Sequence, residues 1–404
     1  MWNRSRAAWA LVLIPACFHP TYDRPACGPL DECPGNLKCT AGVCEPEGDS
    51  DGGTPGATPD GSTPAGAPPD APPLCFGSYP NVCFSTGADV PTAALTLPPE
   101  IDTASSALCG TRNNQPTFCV VAARGLTIAA GTVRAYGARP LVLLSTTTVE
   151  LAGTLDVSST SAAVTHPTGP GVVDIASCAD GAVTPERSSG GYGGSFGGKG
   201  GDGQKQDGGS PPVAGPAVSF PAALRAGCPG ASGSPNDVGT STGIGGKAGG
   251  AVAIIATAIH ITGQINASGA AGTAGPAVKS GGGGGGSGGM IVLDSPSIIA
   301  EGNFALFANG GGGGQGGSLP PNGGSGQDGR ESTGPAVPGA GGNNSTTPGG
   351  IGGSGAFGTG SKDGLSAQPI GLSGNAGGGA GGGGAGFIRA HGITTNIAPT
   401  STDP

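Results

Sequence analysis

The chain has 404 residues, of which 87 are glycine and 38 proline, so nearly a third of it is made of the two residue types that punctuate or break regular structure. Charged residues make up 11%, aromatics 4% and hydrophobics 35%, and 17 Lys+Arg against 26 Asp+Glu leave the chain acidic. This composition excludes a conventional α/β enzyme, a disordered chain held open by charge, and a nucleic-acid binder, which needs clustered Lys and Arg.

Residues 1–16 join Arg4 and Arg6 to an apolar stretch from Ala7 to Ala16. The stretch is too short to cross a bilayer and matches the apolar core of a signal peptide. Leu13-Ile14-Pro15-Ala16-Cys17 resembles a bacterial lipobox, although Pro15 is unusual there. The resemblance implies cleavage before Cys17, lipidation of Cys17, and a lipid-anchor segment over residues 17–26. Phe18 stands where, in the enterobacterial rule, an aspartate retains lipoproteins at the inner membrane, so the expected address is the outer membrane or cell surface, with the N-terminal lipid in the membrane.

Eleven cysteines is an odd number, and removing Cys17 for lipid leaves ten that can pair: Cys27, Cys33, Cys39, Cys44, Cys75, Cys83, Cys109, Cys119, Cys178 and Cys228. An exported chain with an even remainder reads as a disulfide framework. Residues 27–44 carry four of them in a stretch too short to bury a core, so two bridges are expected, with all three connectivities open. Four thiolates also suit zinc, but export and the lack of a Cys-x-x-Cys pair favour disulfides. Residues 45–73, rich in Pro, Gly, Ala, Asp, Ser and Thr, read as a semi-extended, disordered linker. Beyond it, proximity pairs Cys75 with Cys83, Cys109 with Cys119, and Cys178 with Cys228.

A repeat emerges after residue 74. Thr132-Val-Arg-Ala-Tyr-Gly137, Thr154-Leu-Asp-Val-Ser-Ser159 and Gln264-Ile-Asn-Ala-Ser-Gly269 share one template, each following a glycine (Gly131, Gly153, Gly263). Alternating runs at 141–152, 251–262 and 290–301 lead into glycines, and residues 386–394 resemble a truncated copy. Period-2 alternation rich in Val, Ile, Leu and Thr predicts strands, and the 22-residue spacing of Gly131 and Gly153 matches one coil of a stacked parallel fold. The predicted class is therefore all-β: a short, β-helix-like parallel β-solenoid with long glycine-rich insertions, preceded by the small disulfide-rich module and the disordered linker. First coils fall at 74–188, a glycine-rich insertion at 189–250, further coils at 251–309, a second insertion at 310–385, and a last strand and tail at 386–404. Two states suit the glycine tracts: mobile loops, or extended polyglycine II strands bonded between neighbours.

Arg134, Asp156 and Asn266 share one template position, which predicts a column on one face. A polysaccharide-degrading groove would draw on Glu150, Asp156, Asp294, Glu301, Arg134 and Arg139, which show no repeat into a column. His19, His166, His260 and His391 are far apart and read as loop or outward strand residues. No catalytic, cofactor or metal residue is expected, and Gly-x-Gly matches carry no weight in this composition.

Lipobox, cysteine module, Pro/Gly tether and segments such as Arg139-Pro-Leu-Val-Leu-Leu and Gly153-Thr-Leu-Asp-Val-Ser together resemble glycine-rich predicted surface lipoproteins of myxobacteria and relatives, over most of the chain. That family has no assigned activity, so the resemblance implies location and shape. The function expected is a non-catalytic, lipid-anchored surface protein, structural or adhesive in the cell envelope. Extracellular polysaccharide or other envelope proteins are the expected partners. The alternative is a carbohydrate-binding or polysaccharide-degrading β-helix protein.

Overall fold

A computed structural model describes residues 37–40, 43–46, 73–85, 87–110, 117–162, 165–172, 178, 181, 183–205, 210–235, 241–276, 279–318, 325–326, 328–329, 349–357, 361–368 and 376–395. Cys17, Cys27, Cys33, His19, the leader and nearly all of the linker lie outside these residues. The chain divides into two units, Met1–Pro69 and Asp70–Pro404. In the first, β1 (Leu37–Thr40) and β2 (Val43–Pro46) pair antiparallel in a register that sets Cys39 opposite Cys44.

The second unit opens with a disulfide-closed hairpin, β3 (Leu74–Phe76) and β4 (Val82–Phe84), in which Cys75 is bonded to Cys83. Short strands β5 (Leu95–Thr96) and β6 (Glu100–Asp102) follow. Two successive triplets come next: β7 (Cys119–Ala123), β8 (Leu126–Ile128) and β9 (Thr132–Tyr136), then β10 (Leu141–Ser145), β11 (Thr148–Leu151) and β12 (Thr154–Asp156). After a long glycine-rich stretch come β13 (Ala251–Ile255), β14 (Ala258–Ile261) and β15 (Gln264–Asn266). The last strands are β16 (Met290–Ala300), β17 (Ala305–Phe307) and β18 (Phe387–Thr395).

All pairings among β5–β18 are parallel, in a nine-stranded sheet (β5-β8-β11-β14-β16-β13-β10-β7, with β18 on β16) and a five-stranded sheet (β17-β15-β12-β9-β6). Eleven-residue β16 joins the halves of the larger sheet, pairing first with β13 and then, past an irregularity near Pro296, with β14. Parallel register stacks like on like. Cys119, Leu141, Val252, Ile291 and Ile388 form one buried column, and Val133, Leu155, Ile265 and Leu306 form another facing it from the smaller sheet. β10 and β13 are buried along their whole length, as in parallel sheets covered on both faces. Their outer face packs under the β3–β4 hairpin and the aromatic rings of Phe196 and Phe387. The Cys109–Cys119 bridge and an antiparallel bridge from Gly110 to Val120 close the β7 edge, which protects it from pairing with another chain.

The glycine tracts are not insertions, and this overturns the expected short β-solenoid. Between β12 and β13 the chain does not turn straight back to pair with β10. It leaves the sheets and enters a bundle that recruits segments from residue 188 to residue 386. Residues 281–289 lie at its centre. Gly282, Gly285 and Gly288 donate to the carbonyls of Gly378, Gly381 and Gly384; Gly283, Gly286 and Gly289 donate to Thr273, Ala270 and Ala267; Gly281, Gly284 and Ser287 donate to Ser234, Ala231 and Cys228. The carbonyls repeat the pattern, accepting from Gly243, Gly246 and Gly249, from Gly191 and Gly194, and from Gly314 and Gly311. Successive residues thus turn to a new neighbour and every third residue returns to the same one. That is the three-residue turn of polyglycine II, with six strands around one. Residues 376–386 sit in a second six-neighbour position, against 188–194, 198–204, 282–288, 308–317, 350–356 and 362–365.

Packing this close leaves no room for Cβ. One added at Gly285 would overlap the carbonyl oxygen of Gly311, and one at Gly284 that of Tyr192. The number of glycines per three residues therefore records how many sides of a segment are covered. Gly227, Gly230 and Gly233, one in three, all face residues 281–288. In Gly190-Gly191-Tyr192-Gly193-Gly194-Ser195, Gly190 and Gly193 abut 379–383 while Gly191 and Gly194 abut 228–231. The uninterrupted runs 281–286 and 310–314 are interior. Lys199 and Asp202, one turn apart, meet at 3.0 Å on the outside.

Gly285→Ala is expected to cost about 3 kcal/mol or more, since neither neighbouring backbone has a side chain that can yield. Gly87→Ala, with nothing within 4 Å of its added Cβ, is expected to stay within about 0.5 kcal/mol; chemical denaturation of the two variants makes the comparison. Hydrogen exchange supplies a second check: amides of 282–289 and 310–317 should exchange about a thousandfold or more slower than free peptide. Free exchange there would contradict a packed bundle.

Candidate functional site

The five-stranded sheet carries a polar column on its outer face. Register aligns Glu100 with Arg134, Arg134 with Asp156, Asp156 with Asn266, and Asn266 with Phe307. The template position read from the repeat thus becomes a physical line of side chains, because parallel strands in register keep equivalent residues adjacent. This line floors an open cleft of about 690 Å³, completed by Ser158, Ser159, Thr160, Thr165, His166, Asp328 and Gly329.

Inside it, the guanidinium of Arg134 contacts Asp156 Oδ2 at 2.9 Å and donates to the His166 carbonyl at 3.2 Å. Asp156 Oδ1 also accepts the Ser158 amide at 3.0 Å. Asn266 is buried and accepts the Ser268 amide through Oδ1 at 3.1 Å, which leaves its amide NH2 as a donor at the cleft. The His166 ring stacks on Tyr136, with centroids 3.6 Å apart and planes 6° from parallel, forming a flat wall. Asp328 accepts from Thr160 Oγ1 at 2.6 Å, from the Ser161 amide at 2.9 Å and from the Ala271 amide at 2.8 Å. Each hydrogen-bonded partner fixes a side chain, so the cleft offers preset donors and acceptors.

The remaining sequence candidates lie elsewhere. Arg139 donates to the carbonyls of Thr103 at 2.6 Å and Ala104 at 3.3 Å and braces a turn. Asp294 accepts from Ser78 Oγ at 2.8 Å and the Tyr79 amide at 3.1 Å, which pins the β3–β4 hairpin to β16. Glu150 and Glu301, expected to stand apart, instead flank His260 on the larger sheet: His260 Nδ1 lies 2.9 Å from Glu150 and Nε2 lies 2.8 Å from Glu301. The alignment was hidden because the middle member of the line is a histidine and the third follows the irregular β16. His391 sits opposite Asp294 in register, and its buried Nε2 has no partner among the described residues. Cys178 is bonded to Cys228, so the three bridges among the described residues join the pairs given by proximity along the chain.

Asp328, His166 and Glu100 are the cleft residues that sequence reasoning missed. Glu100 continues the column in register with Arg134 but follows Pro98-Pro99 and not the template glycine, His166 lies outside the template, and Asp328 comes from a glycine-rich stretch 172 residues beyond Asp156. Among the described residues no cluster of three or more His, Cys, Asp or Glu is placed to hold a metal ion, and no helix is long and apolar enough to cross a membrane.

The two carboxylates beside His260, Glu301 first and Glu150 second, raise its pKa above the ordinary imidazole value of 6.5. A raised pKa means that the pairing stabilises the fold fully below that ordinary value and is lost as pH rises through the folded-state value. Both carboxylates are more than half exposed, so the gain is that of a screened surface pair, about 0–1 kcal/mol. An NMR titration should place His260 above 6.5, and Glu301→Gln should move it back down. An unchanged titration in that variant would remove Glu301 as the cause.

Comparison with known proteins yields no relative: no family model matches the chain, and neither the curated proteins nor the solved structures hold a significant match.

Proposed function

We propose that this is a non-catalytic, lipid-anchored protein of the outer membrane or cell surface, with a structural or adhesive role in the cell envelope. The observation that carries the proposal is the glycine bundle. Its backbone groups bond to one another in three directions and its interior is almost free of side chains. Such a body offers rigidity and few exposed peptide bonds, which suits an envelope component, and offers little that could do chemistry. Three disulfides in the described residues fit an oxidising compartment. The lipobox-like Leu13–Cys17 and the resemblance to glycine-rich surface lipoproteins supply the anchor.

The alternative, carbohydrate binding or degradation, is favoured in its binding form by the cleft. Degradation needs a carboxylate or base free to take a proton. Of the carboxylates the sequence offered for it, Asp156 is engaged by Arg134 and Ser158, and Glu150, Glu301 and Asp294 lie outside the cleft, so the exposed Glu100 is the cleft carboxylate that a cleavage assay would test.

Cells grown with a palmitate analogue should label the wild-type protein and not Cys17→Ser, and protease applied to intact cells should release the body from the membrane. An unlabelled wild type, or complete protection from protease, would sink the proposal.

A further inference from the structure

From the geometry of the cleft we infer that the Arg134–Asp156–Asn266 column is a binding site for neutral oligosaccharides. The inference rests on the adhesive reading above and names the chemistry of its partner. A hexose presents vicinal hydroxyls, each both donor and acceptor, around a ring whose faces are apolar. The cleft offers the complement. Asn266 has a free amide donor, while Glu100 and Ser158, with the remaining capacity of Asp156 and Asp328, supply acceptors and hydroxyls on one floor. The His166 ring, held flat on Tyr136, supplies a wall for a sugar face.

Size and charge narrow the ligand. A cleft of about 690 Å³ lies within the range of small-molecule sites and suits a few sugar units. Its openness at the surface suits an internal stretch of a chain as well as an end. Three carboxylates, Glu100, Asp156 and Asp328, face one guanidinium, and that guanidinium is already paired at 2.9 Å. Uronate or sulfated glycans would meet net negative charge and, among the described residues, no free guanidinium or ammonium group to receive them. A neutral chain meets no such barrier.

The cleft is also preset. Thr160 and the Ala271 amide hold Asp328, and Ser159 Oγ donates to the carbonyl of Ala248 in the glycine bundle. Binding therefore orders few groups, which is where affinity for weakly binding sugars is otherwise lost.

The test is calorimetric titration of the full-length protein with cellotetraose, maltotetraose and chitotetraose as neutral probes and tetragalacturonate as the anionic one. At least one neutral probe should bind, with tetragalacturonate weaker by about tenfold or more. Asn266→Ala and Glu100→Ala, checked for unchanged melting, should each weaken the neutral probe several-fold. Glu100, being exposed, keeps the test open if Asn266→Ala disturbs folding. No binding of any neutral probe up to about 10 mM, preference for tetragalacturonate, or affinity untouched by both variants would overturn the inference. Chromatography of the titrated probes separates the two proposals: cleaved probe would refute a non-catalytic role and leave the ligand class standing, whereas surface labelling without sugar binding would do the reverse.

Discussion

The structure depends on one constraint: backbone brought so close to backbone that each peptide group finds its partner on a different neighbouring segment. A β-ladder bonds a strand to two neighbours in a plane, whereas a three-residue turn sends the bonds in three directions and builds a solid. The carbonyl of one segment then sits where the Cβ of another would be, as Gly311 does for Gly285 and Gly382 does for Gly193. The second Hα of glycine meets that oxygen, a weak contact repeated many times. Ordering a residue costs about 1–2 kcal/mol and a backbone hydrogen bond returns a net of about 0.5–1.5. The bundle is therefore close to balance by itself and needs a scaffold that holds its segments in place.

The two sheets are that scaffold. Phe196 lies in the cluster on the outer face of the larger sheet, and segments 188–194 and 198–204 run away from it on either side. Bundle residues 267–275 continue directly from β15, 280–289 lead into β16, and 308–318 leave β17. Each passage of the chain thus delivers a glycine segment in a position set by strand register. The columns of Leu, Ile and Val supply what the glycines lack, about 1.5–3 kcal/mol for each large side chain taken from water. The same geometry accounts for the 11% of charged residues. Positions facing a neighbour must be glycine or very small, so charge is confined to outward positions such as Lys199 and Asp202.

Strands were legible because period-2 alternation survives without tertiary knowledge, and the glycines at 131, 153 and 263 marked equivalent turns. The Arg134–Asp156–Asn266 line was legible for the same reason: a repeat in parallel register converts one template position into one column. For the glycine tracts, polyglycine II was one of two legible states, and what selects it over mobile loops was not legible. Their period of three is written in Gly227, Gly230 and Gly233 and in Gly269, Gly272 and Gly275, but in pure glycine runs every residue is alike and the period disappears. The interior segments are thus the least readable. What a segment packs against also depends on partners up to about two hundred residues away, as for Gly381 bonding to Gly191, which no local pattern reports.

Those distant partners also explain the position of the cleft. Its floor belongs to the five-stranded sheet, but Ser159, Thr160 and Asp328 lie where the strands give way to glycine segments, and each is tied to one of them: Ser159 to Ala248 and Ser268, Thr160 through Asp328 to Ala271. A loop in this place would let those side chains move independently. Here they hang from a body whose atoms have almost no rotamers to exchange, because it has almost no side chains. Glycine, the residue that loses most freedom on folding, leaves no side-chain freedom once its backbone is bonded on every side, and polar groups mounted on it keep their spacing. The excess that ruled out an ordinary enzyme core thereby gives a short polar column a fixed frame.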